Sequence, residues 1–268
     1  MLITSGEHYG VARVVGLGNK IDMDETEVLE YLANDDATKA IFMYLESFKR
    51  PRVFIQAARA ASARKPLFLL KGGSSKEGSQ AAIAHTAALA SDDRVVSAAM
   101  LQAGVTQLYD YSHLFHIAKA VSFMPLPKGN RVSFMAPSGA MLVVLTDLCR
   151  QRWDLLVPDL EEVNRARLQA IGPDWLRMRN PVDIWGPAMV HGIEKAHREA
   201  IEAVMDDPNI DAVVVVLVVV DDFGRTPLDF FVELARKYPD KPLYVTFTGI
   251  KERMDEAKAF LEPQGVPT

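Results

Sequence analysis

"DAVVVVLVVVDD", residues 211–222, decides the fold. Eight apolar residues follow Ala212 without a break, and aspartates close both ends. The run is far short of the roughly 20 apolar residues that span a bilayer, and its valine content favours a strand. A strand with no polar alternation is buried on both faces, as happens at the centre of a parallel sheet covered by helices. Its neighbours agree. Amphipathic "IEKAHREAIEAVMDD" (193–207) precedes it, and a helical stretch at 227–237 leads to another strand, "PLYVTF" (242–247).

The same alternation runs through the chain. "GVARVVGLG" (10–18), "KAIFMYL" (39–45), "KPLFLLK" (65–71) and "VTQLY" (105–109) read as strands. "DETEVLEYLAND" (24–35) opens on acidic residues, "PRVFIQAARAASAR" (51–64) on a first-turn proline, and "DDRVVSAAMLQAG" (92–104) ends at Gly104; all three read as helices, as does "SHLFHIAKAVSF" (112–123). "PLPKGN" (125–130) interrupts with two prolines, a glycine and an asparagine, the composition of a linker. The pattern restarts with strand "RVSFMA" (131–136), helix "AMLVVLTDLCRQR" (140–152), a helix at 159–171 and a closing helix at 251–262. Parallel strands need covering crossovers, so the fold class is α/β, with two domains at 1–127 and 128–268.

Of 268 residues, 49% are hydrophobic and 24% charged, with a net charge of −5. That balance gives no electrostatic footprint for nucleic acid. One cysteine, Cys149, excludes an internal disulfide framework; no signal peptide or membrane span is expected, and the expected location is the cytoplasm.

Ligands of open parallel sheets collect at the carboxyl ends of the strands. There the sequence places Glu46, then Gly72, Gly73, Ser74 and Ser75, then Ser138 and Gly139, and finally Asp221 and Asp222. The Ser138–Gly139 turn reads either as an ordinary helix cap or as an anion site built from free N–H groups. A nucleophile elbow is excluded, since its first glycine is absent. "KGGSSKEG" (71–78) lacks Walker spacing and reads as a flexible hinge. His85, in "KEGSQAAIAHTAALASDDRVV" (76–96), is read in a loop of small residues: a surface histidine in a tolerant turn, or a nucleophile whose small neighbours admit something bulky and charged. His113 and His116 share a helix face without a third ligand, His191 and His197 lie on different faces, and no metal site is expected. Cys149 reads as a core thiol.

Three segments carry a resemblance when taken together: residues 14–48, from "VVGLGNK" to "YLESF"; residues 65–105, containing "AHTAALAS"; and "NPVDI" at 180–184. They are similar to the NDP-forming acyl-CoA synthetases, relatives of succinyl-CoA synthetase. The resemblance implies two flavodoxin-like three-layer αβα domains with parallel sheets, the first bearing the phosphohistidine. It implies the reaction acyl-CoA + NDP + phosphate ⇌ acid + CoA + NTP, through an acyl phosphate and phosphorylated His85. Glu46 would accept the other imidazole N–H, and Ser138 and Gly139 would cradle phosphoryl oxygens. CoA and ADP/ATP with Mg are implied as substrates of the complete enzyme, with none bound tightly to this chain.

Departures from the family pattern shape the remaining expectations. Ala87 and Ser91 stand where the family has glycines. In a left-handed backbone, alanine at 87 would cost roughly 1–2 kcal/mol. The family's CoA-binding Rossmann domain, its ATP-grasp module and the first strand of the histidine domain have no counterpart. The chain is therefore expected to be a fragment or subunit of an acid–thiol ligase, not competent alone, oligomeric, and completed by an ATP-grasp partner and a CoA-binding domain. The missing strand is expected to be replaced by residues 1–9 or by another subunit. The alternative is a degenerate, non-catalytic module binding CoA, acyl ligands or partners for regulation.

Overall fold

Strand β2 (Leu67–Lys71) is buried at every position. Leu67 and Leu69 join Leu29, Phe54, Ala58 and Met100 on one side of the sheet, and Phe68 and Leu70 join Leu108 and Leu114 on the other. Period-two alternation within an unbroken apolar run therefore feeds two separate helix layers. This is a computed structural model, describing residues 10–86, 92–220 and 227–268. The chain divides into two compact units, Met1–Ser122 and Phe123–Thr268.

In the first unit β2 lies between β1 (Ile41–Leu45) and β3 (Val105–Leu108), all parallel, with Ile41 opposite Leu67 and Leu67 opposite Val105. Helices α1 (Glu25–Asn34), α2 (Pro51–Ser62) and α4 (Asp93–Gln102) cover one face, and α5 (Tyr111–Phe123) the other. The Asp24 carboxylate accepts from the Thr26 and Glu27 amides, while Glu27 accepts from the Asp24 amide, a reciprocal cap that starts α1. Pro51 opens α2, where its missing N–H costs nothing. Gly104 takes φ 71° after α4, where a side chain would meet the Ser62 hydroxyl.

Two readings are corrected. Residues 10–18 do not form a strand: the segment pairs with none of the described strands, and Val11, Val14 and Val15 are exposed. Its valines have strand composition, but a strand exists only against a partner edge. "KGGSSKEG" is not a loose hinge throughout, because α3 (Lys76–Thr86) begins inside it. The segment 1–9, expected to replace the missing strand, lies outside the described residues.

The second unit has a four-stranded parallel sheet in the order β5 (Val182–Asp183), β4 (Val132–Ala136), β6 (Ala212–Val219), β7 (Leu243–Gly249). Val213, Val215 and Leu217 of β6 face a core with Ala196, Ala200, Phe230 and Phe231, while Val214 and Val216 face Phe134 and Leu142. On the first face lie α7 (Glu162–Ile171), α9 (Ile193–Met205) and α10 (Asp229–Lys237), and on the second α6 (Gly139–Leu148). One π-helical turn, Cys149–Trp153, extends α6, and Cys149 is buried as expected. The short α8 (Trp185–His191) follows β5, and α11 (Lys251–Leu261) follows β7. From β4 the chain moves outward to β5 and then returns to the opposite side as β6. That reversal makes the carboxyl end of β4 the crevice where ligands of such sheets bind.

Candidate functional site

The strand ends of the first unit gather Tyr44, Glu46, Lys71 and Gly72. Leu45 pairs with Lys71, so the next residues, Glu46 and Gly72, leave the sheet side by side, joined by a 3.0 Å bond from the Gly72 amide to the Leu45 carbonyl. Tyr44 and Glu46 are two apart and share one face of β1, where the Tyr44 hydroxyl donates to Glu46 Oε1 at 3.1 Å. A methyl group on Gly72 would fall 2.7 Å from that hydroxyl and 3.0 Å from Glu46 Cγ. Glycine is what lets the pair lie across β2.

Lys71 closes the other side. Its buried ammonium donates to the Glu46 carbonyl at 2.8 Å and to the Gly72 carbonyl, so one cation clasps both strand ends. Burial pushes its pKa below the usual lysine range, an effect opposed by Asp93 and Glu46 and reinforced by Lys20. Lys20, at φ 56°, donates to the Ser47 carbonyl at 2.6 Å and pairs with Glu25 at 2.9 Å, tying the segment before α1 to the residue after Glu46. Behind Tyr44 the Tyr111 ring stacks at 6.3 Å. Burial and then the Glu46 carboxylate raise the Tyr44 pKa, so the phenol stays a neutral donor.

From Gly72 the chain turns through Gly73 (φ 73°) into α3, whose first turn is capped by Ser75 Oγ accepting from the Gly78 amide at 2.9 Å. His85 falls in the last turn of α3 rather than in a loop, roughly 13 Å along the axis from Lys76 at the usual helical rise. The His85 side chain, Ala87 and Ser91 lie outside the described residues, and with them the meeting of His85 and Glu46.

In the second unit Ser138 caps α6 at the crevice beside β4: its Oγ accepts from the Met141 amide at 3.4 Å and its carbonyl from the Leu142 amide at 3.1 Å. The Ser138 hydroxyl thus keeps its own proton to donate outward. Sequence reasoning quoted Asp183 within "NPVDI" without giving it a role. Its Oδ1 accepts from the Trp185 amide at 3.1 Å, and its Oδ2 lies 3.5 Å from where a Gly139 methyl would stand. A carboxylate therefore borders the helix mouth. Asp221 and Asp222 lie outside the described residues. Among those described, no group of three His, Cys, Asp or Glu residues could hold a metal ion, and no helix is long and apolar enough to cross a membrane.

Known proteins match nearly the whole chain. Residues 1–121 match the succinyl-CoA ligase like flavodoxin domain. The chain is 34% identical over 258 residues to an ADP-forming acetate–CoA ligase II of Archaeoglobus fulgidus, covering 96% of this chain and 38% of the relative. It is 33% identical to the alpha subunit of ADP-forming acetate–CoA ligase II of Pyrococcus furiosus, covering 99% of this chain and 57% of that subunit. Among solved structures, the acetyl-coenzyme A synthetase 1 of Ca. Korarchaeum cryptofilum in complex with phosphate and ADP superposes with a TM-score of 0.84 at 27% identity, over 94% of this chain and 54% of that one. The chain thus spans well under two thirds of the relatives it matches. With its flavodoxin-like first unit and parallel α/β sheets, the chain carries a succinyl-CoA ligase like flavodoxin domain over residues 1–121 and is similar over nearly all of its length to ADP-forming acyl-CoA ligases.

Proposed function

We propose that this chain is the phosphoryl-relay part of an NDP-forming acyl-CoA synthetase, interconverting acyl-CoA, NDP and phosphate with acid, CoA and NTP. The observation that carries the reading is the strand-end clasp that presents Glu46 between Tyr44 and Lys71, at the root of the helix bearing His85. A neutral His85 nitrogen attacks the phosphorus of an acyl phosphate, the P–O bond to the acyl group breaks, and the carboxylate leaves. Attack by a terminal phosphate oxygen of the nucleoside diphosphate then breaks the N–P bond and returns the imidazole. Glu46 accepts the second imidazole N–H and steadies its positive charge, while the α6 N-terminus with Ser138 and Gly139 cradles phosphoryl oxygens. Gly73, at the base of α3, lets the helix re-aim His85 toward Glu46 and toward the nucleotide.

CoA and ADP/ATP with Mg are substrates of the complete enzyme and are not held tightly by this chain. An ATP-grasp domain or subunit and a CoA-binding domain supply the remaining sites, the domain boundary falls near residue 128, and the enzyme works in the cytoplasm. The test is phosphoryl labelling of the full chain with γ-labelled Mg-ATP and an ATP-grasp subunit. An acid-labile, base-stable label is expected, absent in His85→Asn and reduced in Glu46→Gln. No label on the unmodified chain, with ligand binding intact in His85→Asn, would instead support the regulatory module, to which Ala87 points.

A further inference from the structure

The geometry points to Tyr44 as the positioning residue that fixes the Glu46 carboxylate and holds it ionised for the histidine. This rests on the phosphoryl-relay reading above. Four features converge on the pair. Tyr44 and Glu46 lie on one face of β1 with the hydroxyl 3.1 Å from Oε1. Tyr111 of α5 stacks on the Tyr44 ring and restricts its swing. Gly72 leaves the space that the hydroxyl and Glu46 Cγ occupy. Lys71 holds the Glu46 backbone from β2, so the remaining freedom lies in the glutamate side chain, and Tyr44 restrains it.

The consequence is electrostatic as well as geometric. A neutral O–H donor stabilises a carboxylate relative to the carboxylic acid and lowers its proton affinity. Among the described residues, Lys71 on β2 is a charged group that interacts with Glu46, Tyr111 on α5 acts on Tyr44, and Lys20 ahead of α1 and Asp93 on α4 act on Lys71. Among the same residues, the Tyr44 hydroxyl donates to Glu46 Oε1 at 3.1 Å. Removing that hydroxyl leaves the other charges in place, so a change in Glu46 titration reads this contact.

Two variants test the inference. Tyr44→Phe keeps the stacked ring and deletes the donor. Gly72→Ala keeps the donor and crowds the pair, because the new methyl falls 2.7 Å from the tyrosine hydroxyl and 3.0 Å from Glu46 Cγ. In the full chain, the Glu46 carboxyl is titrated by NMR with carbon-labelled glutamate, assigned by its loss in Glu46→Gln. Both variants should raise the Glu46 pKa by about 0.5–1 unit and slow labelling from Mg-ATP with the ATP-grasp subunit about three- to ten-fold at neutral pH. The acidic limb of the labelling profile should move up by the same interval, which simple loosening of the fold would not produce. If Tyr44→Phe labels at the parent rate with an unmoved profile while His85→Asn abolishes the label, Tyr44 loses this role and the phosphoryl-relay reading stands. If the unmodified chain takes no label, the relay reading falls, and the Glu46 titration alone decides whether Tyr44 sets the carboxylate. A Glu46 pKa identical in the parent and both variants overturns the inference in either case.

Discussion

His197 links stability to pH at the scale of one residue. It sits in α9 and is almost wholly enclosed, with Nδ1–H donating to the Ile193 carbonyl at 2.7 Å and the Phe230 ring beside it at 6.5 Å. Its Nε2 meets no hydrogen-bond partner among the described residues, so a second proton would be an uncompensated buried charge. Burial lowers the pKa from 6.5 to about 4. Between those values the unfolded chain binds the proton and the folded chain refuses it, so stability falls as pH drops from about 6.5 and levels off below about 4. The full loss is on the order of 3 kcal/mol. Urea midpoints measured from pH 7.5 to 4 should show this slope in the parent and lose most of it in His197→Phe; equal slopes would locate the acid sensitivity elsewhere. The strand-end site shows what single residues disclose in a sequence. The strand-end position of Glu46 was legible because it directly follows an apolar strand. Its contact with Tyr44 was not, because that contact depends on Gly72 of another strand and Tyr111 of a helix, and no local pattern encodes that meeting.

Elements were legible where their ends carried chemistry. The acidic start of α1, Pro51 of α2 and Gly104 after α4 each marked a boundary close to where the structure has it. The misses have physical reasons as well. Residues 10–18 lacked a pairing edge, β5 is two residues long and too short to show a period, and α3 starts among glycines and serines that favour turns. The cap of α1 yields a test at this scale. Asp24 is buried, accepts from two amides and pairs with Arg50 at 2.6 Å; this pairing first, then the amides against the cost of burial, lowers its pKa to about 2. Because the folded value lies below the usual 3.8, the stabilisation is present above about pH 4 and is lost as pH falls through about 2. Asp24→Ala should cost about 0.5–2 kcal/mol at pH 7 by chemical denaturation. Asp24→Asn keeps an amide acceptor and should cost less, and the gap between parent and both variants should close at pH 2. A full-size gap persisting there would assign the effect to packing.

At the scale of the whole molecule, the second unit carries what an independent fold requires. Its sheet is buried on both faces, with β6 central and Phe230, Phe231, Ile201 and Leu168 fully enclosed against it. Its first strand is also fastened within the unit. Arg131 meets Asp211 in a two-pronged pair, Nε to Oδ2 at 2.8 Å and Nη2 to Oδ1 at 2.7 Å, and the Arg131 amide donates to the same Oδ2 at 3.0 Å. Gly129 lies so close to that carboxylate that any Cβ would strike Oδ2. The chain is exposed from 126 to 130, so trypsin should cut after Lys128 and leave this clasp whole. We expect residues 129–268 to melt as one cooperative transition at nearly the temperature the same unit shows within the whole chain. Gly129→Ala should lower that temperature in both contexts, because three hydrogen bonds prevent the carboxylate from yielding, at a cost of about 1–3 kcal/mol. Calorimetry of the chain, the fragment and the variant is the measurement. A fragment that melts without cooperativity would mean that the second unit draws essential stability from the first, and that the two act as a single folding body despite their separate cores.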